Sequence, residues 1–148
     1  MPLSETLIGT WELLSRVDRT ASGEERVEPT LGDDPVALLY YDRSGHFAAQ
    51  FMKRDRSATM SSSAPVHGPN NTQAQGGYDA YFGTYVVDDR TGVVTQTLVG
   101  ALSEANVGAV LARAMTVRGD ELVIRLDTTA CDGEPVTRTL TWKRVGRG

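Results

Sequence analysis

Alternating apolar and polar positions run through most of the 148-residue chain, and this period of two predicts β-strands. Patterns for long helices between the strands are absent, which favours antiparallel pairing over a parallel sheet. A short helical turn is predicted at residues 3–7. We predict strands at residues 7–17, 36–41, 45–53, 82–88, 93–102, 109–118, 121–127 and 136–145.

Three short turns predict hairpins and an up-and-down order of strands. DRSG at 42–45 and DRTG at 89–92 each suit a three-residue loop closed by a left-handed glycine, and Gly119-Asp120 suits a two-residue loop. A meander of eight strands removes its exposed edges by closing on itself. We therefore predict a single all-β domain over residues 1–148, an antiparallel up-and-down β-barrel of eight or more strands with an internal cavity.

Residues 54–80 do not fit the strand pattern. This stretch is rich in Ser, Gly, Pro and Asn, and is longer than an ordinary connection. Such a segment is typical of a lid over a cavity. Asn71 could begin a helix over 72–81, although Gly76 and Gly77 would each weaken that helix by about 1 kcal/mol, so both possibilities remain open.

The Gly119-Asp120 hairpin places one arginine on an apolar face. Paired residues share a face, so Arg113 lies with Leu111, Met115 and Ile124. A buried guanidinium needs acceptors. Arg113 therefore either pairs with an internal carboxylate or reaches water at the barrel mouth, or it holds an anionic or carbonyl-bearing ligand.

The DRSG hairpin predicts a mixed pocket wall on one side and an aromatic surface on the other. The pocket wall would carry small, amide and thioether groups, including Leu38, Tyr40, His46, Gln50 and Met52. The aromatic surface of Leu39, Tyr41, Phe47 and Phe51 would then lie outside, covered by the lid or by a second copy. This predicts a homodimer.

Two further face assignments follow from the hairpins and from barrel closure. In the DRTG hairpin, Tyr85 and Gln96 fall on opposite faces, and either face could be inside. Closure brings the first and last strands together, so Trp11 and Trp142 either pack in the core or seal one end.

Composition and charge argue against two classes of partner, nucleic acids and membranes. The net charge is −4 with no long basic block, which argues against nucleic-acid binding. No apolar run reaches 18 residues and the start MPLSETLIGT is unlike a signal peptide, so we expect neither a membrane partner nor secretion. The lone Cys131 is compatible with a cytoplasmic location.

Motifs for a metal or a nucleotide are absent, and we therefore predict no cofactor. Acid–base candidates are then Tyr40, Tyr85, His46 and Asp42, with Arg113 as an electrostatic aid. Tyr78 and Tyr81 on the lid are further possibilities. The predicted ligand-binding residues are Trp11, Leu38, His46, Gln50, Met52, Gln96, Met115 and Trp142.

Several stretches together resemble the bacterial and fungal lipocalin-like domain family. They are LIGTWELLS, GHFAAQFMKRDR, YFGTYVVDDRTGVVTQTLVGAL, VGAVLARAMTVRGDELVIR and TLTWKRV, which occur in this order over nearly the whole chain. The resemblance implies a small intracellular barrel and carries no catalytic signature. Related small barrels act as cofactor-free cyclases, an analogy at the level of fold.

Two hypotheses of different class follow. In the first, the cavity binds a small, largely apolar metabolite with a carbonyl or carboxylate group and acts as a cofactor-free cyclase or isomerase of a biosynthetic intermediate. In the second, the barrel is a non-catalytic carrier that shields a hydrophobic molecule.

Overall fold

The chain forms one antiparallel sheet that closes into a barrel. The computed structural model describes residues 1–56 and 73–148. A helical turn α1 (Leu3–Thr6), as predicted, precedes the first strand, and a 3₁₀ turn (Glu104–Asn106) lies late in the chain. The strands are β1 (Gly9–Thr20), β2 (Glu25–Arg26), β3 (Val36–Tyr41), β4 (His46–Met52), β5 (Tyr78–Asp88), β6 (Val93–Ala101), β7 (Val110–Arg118), β8 (Glu121–Thr129) and β9 (Pro135–Gly146).

Closure comes from the pairing of the first and last long strands. The sheet order is β2-β1-β3-β4-β5-β6-β7-β8-β9, with β1 also paired to β9. Eight strands therefore make a closed barrel, and β2 is one extra short strand beside β1. This confirms the predicted up-and-down all-β barrel.

The two ends of the barrel differ. One end, called the closed end, has the tight turns at 42–45, 89–92 and 119–120, together with α1. Arg144 helps to seal it, because its guanidinium donates to the carbonyls of Thr6 and Ile8, both at 2.7 Å, and lies 4.3 Å from the Trp11 ring centre. The opposite end, called the open end, has the longer connections; their described residues are 21–35, 53–56, 73–77, 102–109 and 130–134.

Turn chemistry fixes two of the three predicted registers. Tyr41 pairs with Phe47 across the 42–45 turn, and Arg118 pairs with Glu121, both as predicted. The third register is shifted by one residue, because Asp88 pairs with Val93 around a four-residue loop. Asp88 accepts the Arg90 amide at 2.9 Å and so begins the turn.

The shift at this third turn has a visible cause. The neighbouring Asp89 is occupied elsewhere, since its carboxylate accepts the Ser4 amide at 2.8 Å and the Ser4 hydroxyl at 2.7 Å. As a result Tyr85 pairs directly with Gln96, and the two share the inner face instead of lying on opposite faces.

The predicted orientation of β3 and β4 is wrong, although their register is right. The aromatic and aliphatic face of Leu39, Tyr41, Phe47 and Phe51 is buried inside the barrel. Burial of the larger apolar area decides the orientation, because aromatic side chains lose most by facing water. The outward face carries the residues predicted to point inward: Leu38, Tyr40, His46, Ala48, Gln50 and Met52. The surface from which a homodimer was inferred is thus interior, and the dimer stays a prediction.

Strands β7 to β9 have the predicted orientation. Leu111, Arg113 and Met115 are buried on β7, and Leu140 and Trp142 on β9. Threonines of β9 such as Thr137 lie outward.

A β-bulge in β1 turns two charged side chains inward. The register shifts between Leu13 and Ser15, where two successive residues lie outward. Beyond the bulge, Asp18 is buried and the Arg16 side chain is 7% exposed. Without the bulge, strict alternation from the buried Leu13 would place both side chains on the outer face.

The alternative of a helix over 72–81 is wrong for the residues described. β5 begins at Tyr78, and Gln75 makes a bridge with it in place of a helical bond. Gly76 and Gly77 adopt φ of +59° and +77°, which suits a turn before the strand. Most of the predicted lid, including Asn71 and His67, lies outside the described residues.

The close approach of β5 and β6 depends on Gly83. A Cβ at this position would collide with the Thr97 carbonyl oxygen and lie 2.9 Å from the Val99 amide nitrogen. We expect Gly83→Ala to lower the free energy of unfolding by about 2–3 kcal/mol, because backbone must move to admit a methyl group. Urea unfolding would measure this. The neighbouring exposed Thr84→Ala is the control, and an equally stable Gly83→Ala would contradict the expected collision.

Candidate functional site

A cavity enters the barrel from the open end. Its volume is about 60 Å³ for the centres of water molecules. This is more space than a single water molecule needs, so a compact organic molecule is the class of ligand that the cavity can hold. The lining residues are Arg16, Glu28, Thr30, Leu31, Leu39, Tyr41, Phe51, Ala74, Asp79, Tyr81, Gln96, Arg113, Ile124, Leu126, Thr129, Cys131, Arg138, Leu140 and Trp142.

One wall of the cavity is aromatic. Phe51 stands edge-on to Trp142, with ring centres 5.8 Å apart, and stacks against Tyr81 at 6.2 Å. All three side chains line the cavity, and Leu39 and Leu140 extend this wall with aliphatic surface. A flat apolar molecule would find close packing here.

Arg113 brings a guanidinium into the cavity. It is 6% exposed and donates to its neighbour's carbonyl, Ala112 O, at 3.3 Å. Burial lowers its pKa; the nearby Tyr81 and Tyr41 hydroxyls raise it and Arg138 lowers it further. Arginine nevertheless stays protonated at neutral pH, so Arg113 presents fixed donors to the interior.

Tyr41 lies deeper, in a hydrogen-bonded chain across the barrel. Its hydroxyl accepts from the Gln96 amide at 2.5 Å and points toward the Met115 sulfur at 3.8 Å. Burial raises the pKa of Tyr41 above its ordinary value. The phenol is therefore neutral at physiological pH, and it can donate a hydrogen bond but not act as a base.

Toward the open end, one ion pair is fully buried. Arg138 donates to both Asp18 oxygens, at 2.7 and 2.9 Å, and both side chains are 3% exposed. Asp18 follows the bulge in β1, and Arg138 is its direct partner on β9 in the β1–β9 ladder.

A second ion pair lies beside the first. Arg16 contacts Glu28 at 3.2 Å, and the Glu28 carboxylate also accepts the Thr30 amide at 2.7 Å. Burial, with a smaller effect from Arg138, lowers the pKa of Arg16 to about 10. Burial alone would raise the pKa of Glu28, but Arg16 and the Thr30 hydrogen bonds outweigh it and lower that pKa. The rim of the cavity is thus charged and ordered.

Asp79 is the carboxylate that the sequence interpretation missed. It is 3% exposed, lines the cavity and pairs with Phe51 in the β4–β5 ladder. Tyr81, two residues later, shares its inward face. Alternation in YDAYFGTY could have identified both, but the predicted strand began only at residue 82.

The structure brings three of the predicted site residues, and the further acid–base candidate Tyr81, into the cavity. Arg113, Gln96 and Trp142 line it, and Met115 lies behind Tyr41. Trp11 is buried toward the closed end, where its indole donates to the Leu7 carbonyl at 2.9 Å, so the two tryptophans do not share one site.

The other predicted residues lie elsewhere. Tyr85 is half-buried near the 42–45 turn, where its hydroxyl donates to the Asp42 carbonyl at 2.6 Å. His46 is exposed, with its Nδ1 2.7 Å from the Ser44 hydroxyl. The remaining predicted residues, Leu38, Tyr40, Gln50 and Met52, are on the outer surface and do not line the cavity.

Two features are absent from residues 1–56 and 73–148. In these ranges there is no group of three His, Cys, Asp or Glu side chains placed to hold a metal ion. In the same ranges no helix has the length and apolar character needed to cross a membrane.

Comparison with known families matches residues 8–145 to the lipocalin-like domain family. A search of curated proteins found no significant match. The match spans most of the chain, so the protein belongs to the lipocalin-like domain family, as the sequence resemblance indicated. A barrel of this kind is suited to binding a small hydrophobic molecule in its interior.

Proposed function

We propose that the barrel binds a compact molecule with an apolar body and a carbonyl or carboxylate group, and converts it without a cofactor as an isomerase or cyclase. One observation carries the proposal: Arg113, Asp79 and the neutral Tyr41 line the same small cavity as the Phe51–Trp142 wall. Cationic donors, a carboxylate and an apolar surface in one enclosed space are what proton transfer next to a carbonyl requires.

The chemistry would follow from these positions. The Asp79 carboxylate takes a proton from the carbon next to the substrate carbonyl, and the electron pair moves onto the carbonyl oxygen. Arg113 stabilises the resulting enolate oxygen. Return of the proton to a different carbon of a conjugated enolate gives an isomer. Alternatively, the enolate carbon attacks a second carbonyl carbon of the same molecule; a carbon–carbon bond forms, the π bond of that carbonyl opens, and protonated Asp79 returns its proton to the new alkoxide oxygen, which gives a ring. Neither route consumes a cofactor, an oxidant or a reductant.

Enclosure supports the cyclase form of the proposal. A flexible substrate held against the aromatic wall would be kept in a folded conformer, and well-oriented intramolecular reactions gain up to about 7–11 kcal/mol over bimolecular ones. The neutral Tyr41 and its partner Gln96 would add fixed hydrogen-bonding groups at the inner end of the cavity.

A carrier is the second candidate function. The observation that favours it is how fully some cavity groups are satisfied by one another, as in the Asp18–Arg138 and Tyr41–Gln96 pairs. Groups so paired suit a stable container that shields a hydrophobic molecule.

Acetophenone in D₂O separates the two functions. Its α-protons exchange for deuterium only through the enolate, so mass spectrometry of the recovered compound reports proton abstraction directly. We expect exchange faster than in buffer alone and loss of the excess rate when a tighter ligand, benzoate, fills the cavity. Binding without exchange would favour the carrier. If acetophenone neither binds nor exchanges its α-protons, the proposal is wrong.

Arg113→Met should weaken benzoate binding by about 1.5–3 kcal/mol, the usual value of a hydrogen bond to a charged group. The unbranched methionine fills similar space, so toluene binding and thermal stability should change little. Calorimetric titration and thermal melting would measure the two effects.

Arg125→Met is the matched control, because Arg125 is exposed on the adjacent strand β8. It should leave benzoate binding at the wild-type level. If Arg113→Met instead lost about 3–5 kcal/mol of stability, Arg113 would be the structural partner of a buried carboxylate, as the first sequence alternative held.

A further inference from the structure

The outer surface of the barrel divides into a charged part and an uncharged part. The outer faces of β8, β9 and β1 carry charged side chains of both signs, such as Glu12, Arg125 and Lys143. Strands β3 to β6 lie wholly in the described part of the chain, and the only Asp, Glu, Lys or Arg on their outer face is Asp88, at the end of β5. Charged residues are usual on exposed surface, whereas their depletion is typical of the centre of a protein–protein interface.

A row of alternating large and small side chains crosses the centre of this uncharged face. The ladders place Tyr40 beside Ala48, Ala48 beside Phe82, and Phe82 beside Gly100. Phe82 is 55% exposed and Tyr40 is 39% exposed, so both rings project from the surface. The Phe82 ring lies across Gly100, since a Cβ at that glycine would be 2.4 Å from two of the ring atoms. The row therefore combines two projecting rings with a hollow at Ala48.

A groove lies beside the Phe82 ring. Its volume is about 210 Å³ for the centres of water molecules, against about 60 Å³ for the inner cavity. The lining residues belong to β4, β5 and β6 and are mostly alanine, together with Phe82 and Leu102, and Gln50 is the one amide side chain. A groove with so few hydrogen-bonding groups suits an apolar side chain of a partner protein better than a polar small molecule.

A second copy of the chain is the occupant that these features favour. The projecting ring and the groove lie on the same face, so a twofold axis lets each copy place its Phe82 ring in the groove of the other. The net charge of −4 makes two copies repel one another, and contact through uncharged strands keeps charged side chains out of the interface.

The size of this face is sufficient for a dimer of modest stability. Four strands about 4.8 Å apart and about 22 Å long cover on the order of 400 Å² in projection, and the relief of the side chains increases the accessible area. Standard interfaces bury about 800 Å² per partner, and weak ones about 600 Å² or less. A contact centred on Phe82 therefore falls near the lower end of specific interfaces, and the dimer should dissociate on dilution.

We propose that the outer face of β3 to β6 is a homodimer interface in which the Phe82 ring of each copy enters the groove of its partner. The inference is independent of the cavity and of the proposed function, since the contact lies on the outside of the barrel wall. It also accounts for the mixed composition of the outer face of β3 and β4, where Leu38, Gln50 and Met52 form neither a core nor a charged surface. The dimer predicted from the sequence is thus assigned to the opposite face of the same two strands.

Sedimentation velocity of the full chain over a range of micromolar concentrations tests the inference. The wild-type protein should shift from monomer to dimer as its concentration rises. Phe82→Asp should stay monomeric, because it would bury a carboxylate in an apolar groove, and Phe82→Ala should raise the dissociation constant by at least about tenfold, as loss of a central aromatic residue usually does. Circular dichroism should show the same barrel in each variant, because Phe82 is exposed in the monomer.

Two further variants control for folding and for added charge. Gln50→Lys changes an exposed position of the same face and should also give a monomer, which keeps the test decisive if Phe82→Asp does not fold. Val145→Asp adds the same carboxylate at a 47% exposed apolar position of β9, on the charged part of the surface, and should dimerise like the wild type.

Three outcomes would overturn the inference. The first is a wild-type protein that stays monomeric at every concentration. The second is a dimer that survives both Phe82→Asp and Gln50→Lys, because its contact then lies elsewhere. The third is loss of the dimer in Val145→Asp as well, since added negative charge alone would then explain the effect. None of these outcomes bears on the proposed function, which acetophenone and benzoate test separately.

Discussion

Replacing Asp18 by alanine should lower the free energy of unfolding by about 3–5 kcal/mol, the usual cost of breaking a buried ion pair from one side. Asp18 and Arg138 are each 3% exposed, and the two-pronged contact between them joins β1 to β9, where the barrel closes. Removal of the carboxylate leaves a cation in a site that excludes water. Urea unfolding followed by circular dichroism would measure the change.

Two further variants show whether the cost comes from the stranded charge. The double replacement Asp18→Leu with Arg138→Met removes both charges, and we expect it to recover most of the lost stability, because a well-packed apolar pair can replace a buried ion pair. Glu25→Ala breaks the exposed Arg19–Glu25 pair and should leave the free energy of unfolding nearly unchanged. A single Asp18→Ala variant as stable as the wild type would contradict this account of barrel closure.

Local turn chemistry is the part of the fold that the sequence predicted best. The 42–45 and 119–120 turns set their registers through the residues they contain, so the pairs Tyr41–Phe47 and Arg118–Glu121 could be predicted without the rest of the chain. The register predicted for the 89–92 turn was wrong because either of two adjacent aspartates, Asp88 or Asp89, could begin the turn. A residue distant in sequence, Ser4, hydrogen-bonds the Asp89 carboxylate and leaves Asp88 to begin it.

Face assignment succeeded where both strands of a hairpin agreed. The inward position of Arg113 was predicted because the large apolar side chains of β7 and β8 share its face, whereas the opposite face carries smaller or polar residues such as Ala112, Thr116 and Arg125. On β3 and β4 both faces carry apolar side chains, and the alternation alone does not say which of them meets the core. The choice made from pocket-like composition was wrong, and burial of the larger aromatic face would have been the better guide.

The charged half of the cavity could not be predicted from alternation. Asp18 and Arg16 turn inward only because of the β1 bulge, which adds one residue and leaves no mark on the pattern of residue types. Asp79 was missed for a different reason, since the glycine-rich stretch before it concealed the start of β5 at Tyr78. Because the inward positions of Asp18, Arg16 and Asp79 were missed, the sequence predicted a more apolar cavity than the structure has.

Asp79→Asn should reduce α-proton exchange of acetophenone by about 10²- to 10⁴-fold, the usual contribution of a general base. Asparagine keeps the size and shape of the side chain but removes the basic carboxylate. The binding of toluene should be nearly unchanged, because the aromatic wall of Phe51 and Trp142 remains. Deuterium incorporation measured by mass spectrometry would give the rate, and calorimetry the affinity.

The exposed Asp127→Asn on β8 is the matched control and should exchange protons at the wild-type rate. An Asp79→Asn protein that keeps wild-type exchange would show that another group takes the proton and that Asp79 is not the base. A variant that loses exchange together with several kcal/mol of stability would instead identify Asp79 as part of the buried framework, because removal of a buried charge from its partners is costly. Only loss of exchange with retained folding and retained toluene binding agrees with an enolising base at the Phe51 end of the cavity, where Asp79 pairs across the strands.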